Sequence, residues 1–223
     1  LMEEENMTRQ VYLDELDKLH KKVVEMGTLI EESLDQVEEA LYKMNREKAR
    51  EIIAGDHRVD AMEREIERAC IDMIATQQPV ATDLLLISTA RKMITDMERI
   101  GDQASDICEL ATMGHLRSPR PEHFASMAQA AISMVHRAID AYVHKDIELA
   151  KQVELSDDIV DALFNDVKAD LIAGLRGHPD RTEECLDLLM IAKYLERIGD
   201  HAVNIAEWVV YAITGLYKGE ELK

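Results

Sequence analysis

The chain has few of the residues that break regular elements: nine Gly and four Pro in 223 residues. Turns must therefore be few and elements long. Aromatic residues are also scarce, at 4%, although apolar residues reach 47%. The bulk of any core must come from Leu, Ile, Val, Ala and twelve Met. That is a palette for helix packing rather than for a β-sandwich. The three cysteines, Cys70, Cys108 and Cys185, are widely spaced and form no Cys-x-x-Cys. This excludes a zinc ribbon or a disulfide framework and reads as small core residues in a reducing compartment. No apolar run reaches the roughly 18 residues of a membrane span, and the segment Leu1–Met7 is acidic, without a signal-peptide core. The expected location is cytoplasmic.

Positive charge is the next shortage. Against 45 Asp and Glu stand 26 Lys and Arg, a net charge of −19. A nucleic-acid partner is excluded, because phosphate backbones need a basic footprint. Direct docking on anionic lipid is disfavoured for the same reason, so any membrane association must be peripheral and made through partners. Cations and basic protein surfaces remain. The sequence also lacks a Gly-rich phosphate loop, a G-x-S-x-G elbow and any Ser-His-Asp or Cys-His constellation. The expectation is a protein that is not an enzyme.

What the chain does have is repetition. Glu98-Arg-Ile-Gly-Asp102 recurs as Glu196-Arg-Ile-Gly-Asp200 at an offset of 98, and Ala40–Asp60 aligns with Ala141–Asp161 at an offset of 101. The duplication divides the chain into a first repeat at 10–113, a linker at 114–121 containing Gly114, Pro119 and Pro121, and a second repeat at 122–216. Each half reads as three helices. The first covers roughly 10–53 or 122–154. The second follows a turn at Gly55 or Ser156, and the third follows a loop at Pro79 or Pro179. Asp180 with Glu183 reads as a capping box for the last helix, and Thr82 or Asp83 as the cap of the third. Leu188, Ile191, Leu195, Ile198, Ala202, Ile205 and Val209 step by three and four, as do Ile87, Ala90, Ile94, Met97, Gly101, Ala104 and Cys108. Such stripes are bundle seams. The fold class is all-α, two tandem duplicated three-helix bundles, placed side by side or end to end.

Acids four residues apart recur at matching positions: Glu98/Asp102 with Glu196/Asp200, and Asp56/Asp60 with Asp157/Asp161. On a helix that spacing stacks the two carboxylates on one face, roughly 5–6 Å apart at Cβ, where like charges repel. Asp106 extends the first stripe by one turn, and its counterpart is Asn204. If second and third helices lie antiparallel, the pairs converge into one carboxylate cluster per half. All-oxygen clusters suit hard or borderline cations such as Mg²⁺, Ca²⁺, Mn²⁺ or iron. Two other readings stay open: solvated acidic faces, and a metal-free scaffold that binds basic proteins. A ferritin-like di-iron centre is not supported, since it needs Glu-x-x-His and the chain has none. His201, without a histidine at its repeat equivalent Gln103, reads as a surface residue.

At the two Glu-Arg-Ile-Gly-Asp segments, with Val59-Asp60 and Val160-Asp161 upstream, the chain resembles the PhoU family of phosphate-uptake regulators, over nearly its whole length. The resemblance implies two three-helix bundles bearing multinuclear metal clusters, with iron the expected metal and Mn, Mg, Ca or Zn as alternatives. Carried over by position, the ligands are Asp56, Asp60, Glu98, Asp102 and Asp106 in the first repeat and Asp157, Asp161, Glu196 and Asp200 in the second. It further implies a cytoplasmic homodimer that negatively regulates phosphate uptake and the phosphate-starvation response. Its implied partners are the phosphate ABC transporter, through the ATPase subunit, and a sensor histidine kinase. Asn204 in place of a third acid, and Phe164 where the first repeat has Glu63, imply a second site that holds fewer ions or binds them more weakly.

Overall fold

The computed structural model describes residues 2–77, 79–117 and 120–221; Ser118 and Pro119 of the expected linker lie outside the described residues. Six α-helices follow in order: α1 (Met2–Lys43), α2 (Arg46–Gln77), α3 (Ala81–Thr112), α4 (Glu122–His144), α5 (Ile147–Gly177) and α6 (Thr182–Thr214). A 3-10 turn at Pro179–Arg181 precedes α6, and a small antiparallel hairpin pairs Leu216–Tyr217 with Glu220–Glu221 after it. The fold is all-α in two like bundles.

The apolar spacing of each helix sets its place. In α1, Leu19, Val23, Met26, Ile30, Leu34, Val37 and Leu41 are all buried, a stripe stepping by three and four. In α3 and α6 the two expected seams are buried as well. The second helix of each half is leaner. In α2, Ile52, Val59, Ile66 and Met73 recur every seventh residue, as do Val153, Val160 and Val167 in α5. A helix with so narrow an apolar line belongs at the edge. Accordingly α1, α3, α6 and α4 form the middle of the molecule, with α2 laid on α1 and α3, and α5 on α4 and α6.

The bundles stand side by side, joined by α3 against α6 and α1 against α4. The joint follows the internal repeat. On α3 and α6, Asp96 accepts from Asn204 Nδ2 at 2.9 Å, and Asp106 takes a hydrogen bond from the Tyr194 hydroxyl. Asp96 and Tyr194 occupy equivalent positions, as do Asp106 and Asn204, so the two helices run antiparallel about a pseudo-two-fold axis. Between α1 and α4, His136 sits on Glu31 (2.9 Å) and Asp35 (3.1 Å). A Cβ on Gly27 would lie 3.0 Å from Ile139 Cγ2, so the glycine permits the close approach of these two helices. His201, expected at the surface, is half-buried and bonded to Asp96 across the same joint at 2.9 Å.

The turns differ from expectation. The chain reverses at Met44–Asn45 and Lys145–Asp146, not at Gly55 and Ser156, which lie inside α2 and α5. Met44 and Lys145 take left-handed φ values of 50° and 53°. Asn45 and Asp146 then cap the following helices, their side chains accepting from Lys48 N (3.1 Å) and Leu149 N (3.0 Å). Small residues, Gly55 and Ser156, suggest turns, whereas a capping side chain sets each boundary. Neither Thr82 nor Asp83 caps α3, which begins one residue earlier behind Val80. The Asp180–Glu183 capping box does not form either, because a 3-10 turn occupies that segment.

Candidate metal centre

In the first repeat α2 and α3 lie side by side, and the groove between them is lined with carboxylates. Asp56 and Asp60 come from α2, and Glu98, Asp102 and Asp106 from α3. Asp56, Asp60 and Asp102 each place one oxygen within 4.8 Å of the other two, and all three are partly buried. Gly101 makes this possible. A Cβ there would stand 3.2 Å from Val59 Cγ1 and 3.4 Å from Asp56 Oδ1, so a larger residue would press directly on the site.

The cost of gathering these acids appears in their protonation. Burial, then Asp102, Asp60 and Asp106, push Asp56 up to about 6 from 3.8. Burial first and neighbouring acids second also raise Glu98, Asp106 and Glu63. Basic relief comes from the rim. Arg99 reaches Glu98 at 3.5 Å and Asp102 at 3.4 Å, and Arg64 reaches Asp60 at 3.5 Å. Half-buried carboxylates that disfavour each other's charge, with oxygen as the sole donor type, fit a hard or borderline cation, whose charge would reverse the local pKa pattern.

The second repeat places Asp157 and Asp161 on α5 against Glu196 and Asp200 on α6, and Asp157 is again raised by burial, Asp200 and Asp161. The likeness stops there. Lys193, at the position of Thr95, brings its ammonium onto Glu196 and is the largest influence drawing Asp200 back down against the effect of burial. The same ammonium lies 5.5 Å from the ring of Phe164, which occupies the place of Glu63. Asn204 donates to Asp96 across the repeat joint instead of extending the acid stripe. Among the described residues, only the first repeat brings three carboxylates within 4.8 Å. Sequence spacing marks the acids of both grooves. It gives no sign of Lys193, because a lysine three residues before a glutamate looks like an ordinary surface ion pair.

Two like helical bundles, an open acidic groove on each, and no helix long and apolar enough to cross a membrane among the described residues define a class: a tandem-bundle protein whose sites are surface grooves between helices. The chain belongs to the PhoU family, since the PhoU domain matches residues 23–111 and again residues 124–209, once in each bundle. It is 35% identical over 212 residues to a Clostridium acetobutylicum protein named as a phosphate-specific transport system accessory protein PhoU homolog, covering 94% of this chain and 97% of that one. The Escherichia coli K12 protein named as the accessory protein PhoU is 32% identical over 203 residues, covering 90% and 84%. Among solved structures, PhoU from Pseudomonas aeruginosa superposes with a TM-score of 0.88 at 32% identity, covering 92% of this chain and 99% of that one. The phosphate transport system regulatory protein PhoU from Streptococcus pneumoniae gives 0.85 at 25% identity, covering 92% and 98%.

Proposed function

We propose that the chain regulates phosphate transport as a cytoplasmic adaptor that does no chemistry of its own. In this reading it acts negatively on a phosphate ABC transporter through the ATPase subunit, and on a sensor kinase of the starvation response. The names of its relatives support the link to phosphate transport. The surplus of acidic side chains supports docking on basic partner surfaces, as a homodimer at the membrane face of its partners. The first-repeat groove, held by Asp56, Asp60 and Asp102 with Glu98 and Asp106 beside them, takes a metal cluster for which iron is the expected metal. The observation that carries this part is the gathering of three half-buried carboxylates within 4.8 Å around an Asp56 pushed up to about 6. A bound cation would supply the positive charge that an acidic groove needs before it can attract phosphate or an acidic partner.

For the second repeat a metal-free reading is favoured, because Lys193 already neutralises part of the Asp157, Asp161, Glu196 and Asp200 cluster. Elemental analysis of the untagged protein tests both halves. Metal is expected in the parent, and none in a folded variant carrying Asp56→Asn, Asp60→Asn and Asp102→Asn. Lys193→Thr together with Phe164→Glu, which gives the second groove two residues of the first while Asn204 still replaces Asp106, should raise the metal content toward double. A parent without metal even after reconstitution leaves an acidic scaffold that binds protein directly.

A further inference from the structure

A cleft of about 510 Å³ opens at the joint between the repeats, away from both acidic grooves. The start of α1, the first turns of α3, and the ends of α4 and α6 enclose it, so both repeats supply walls. Leu16, Leu19, Leu86, Ala90 and Val209 give it an apolar lining, of a size typical for a small-molecule site. The polar groups are few and unusual.

Thr89 lines the cleft at 1% exposure, and its hydroxyl has no hydrogen-bond partner. Four threonines elsewhere on these helices turn back to the carbonyl four residues earlier: Thr28 to Val24, Thr76 to Asp72, Thr95 to Arg91 and Thr214 to Val210. Thr89 does not, and an unpartnered buried hydroxyl is a cost that native proteins rarely leave standing. At the same cleft His20 is bonded to the Tyr142 hydroxyl at 3.1 Å, and burial first, with Lys145 second, biases it toward its neutral form. Asp17 is held by Lys21 at 2.5 Å, whereas Lys145 makes no ion pair within the described residues. Of the two charged residues that line the cleft, Asp17 is thus paired and the exposed Lys145 is left without an ion pair among the described residues.

The second repeat indicates what belongs there. The counterpart of Thr89 is Asp187, and the linker fills the space beside it. His115 bonds Asp187 at 2.8 Å and Leu116 is buried to 2%. His115 thus gives residue 187 a polar partner, and Leu116 packs nearby, beside a cavity of about 560 Å³ at that end of the pseudo-symmetric joint. In the first repeat the equivalent positions belong to α1 itself.

We propose that the cleft binds a small amphipathic carboxylate. The apolar body lies between α1, α3 and α6, the carboxylate faces Lys145, and Thr89 gains its missing partner. Because both repeats form the walls, occupancy ties the joint together, whether or not the acidic grooves hold metal.

Calorimetric titration of the full chain with decanoate tests this, with decanol as the uncharged control. Saturable one-to-one binding of decanoate is expected, with decanol weaker. Lys145→Glu, an exposed change that leaves the core intact, should weaken decanoate at least tenfold and leave decanol unchanged. Thr89→Val should raise the melting temperature of the unliganded protein while weakening decanoate several-fold. A purely structural Thr89 would change the melting temperature alone. Absence of saturable binding below the micelle concentration overturns the proposal, as does binding indifferent to both substitutions. Equal affinity for decanol and decanoate overturns the assignment of an anionic head.

Discussion

Asp56 concentrates the chemistry of the first groove in one side chain. Its carboxyl is half-buried, faces Asp60 on its own helix and Asp102 and Asp106 on the next, and is pushed up to about 6. A group whose folded-state pKa lies above its unfolded value holds its proton more tightly in the folded protein. Its contribution to stability is therefore fully present below the unfolded value of 3.8 and is lost as pH rises through about 6. Metal-free Asp56→Asn should accordingly be more stable than the parent at pH 7 to 8. That advantage should shrink as the pH falls through 6 and disappear near 4, as read from urea midpoints across pH. With metal present the order should invert, because the ion stabilises the charged form it binds. The spacing of Asp56 and Asp60 was legible in the sequence as a duplicated pair. The raised pKa was not, since it depends first on burial and then on Asp102 and Asp106 arriving from another helix. Lys193 is the opposite case: an unremarkable residue in the sequence whose meaning comes wholly from Phe164, Glu196 and Asp200 around it.

At the scale of elements, the helices themselves were readable and their ends were not. Seams stepping by three and four identify α3 and α6 over their length, because burial of one face imposes the period. The first reversal of each half was misplaced by about ten residues. Gly55 and Ser156 resemble turn residues, yet each continues a helix whose neighbours keep the apolar line Ile52–Val59 or Val153–Val160. The true reversals use a left-handed Met44 or Lys145 followed by a capping Asn45 or Asp146. Asp146→Ala removes the acceptor for Leu149 N and should cost about 1 kcal/mol, measurable in denaturant. Asp146→Ser, which restores a capping oxygen, should recover most of that loss. The missing Asp180–Glu183 box has a tertiary cause. The buried Glu184, rather than Glu183, is engaged, accepting from Arg117 N at 2.8 Å and Arg181 Nε at 2.9 Å. That contact draws the start of α6 onto the linker, a tertiary demand that overrides a local signature.

At the scale of the whole molecule, duplication did not produce two independent domains. The buried apolar residues of all six helices form one continuous core, and the repeats share the α3–α6 and α1–α4 joints. Unfolding should therefore be a single cooperative transition. Trp208, the only tryptophan, lies on α6 stacked on Tyr217, with a centroid separation of 4.3 Å. Its fluorescence reports the second repeat, while far-ultraviolet circular dichroism reports both. The two urea curves should coincide, and a fluorescence midpoint displaced from the dichroism midpoint would mean that the halves melt separately.

The sequence by itself determined the class, the duplication, the helical seams and the repeated acid pairs, because these follow from period, composition and spacing along one chain. It left open whether the bundles sit side by side or end to end, and it carried no sign that the two acidic grooves differ by more than the two acids replaced by Asn204 and Phe164. Those matters depend on which face of one helix meets which face of another. The antiparallel packing of α3 on α6 sends Asn204 to Asp96 and helps open a cleft around Thr89 that no run of neighbouring residues encodes. The packing of α2 on α3 gathers Asp56, Asp60 and Asp102 in one groove, and that of α5 on α6 leaves Lys193 among the acids of the other.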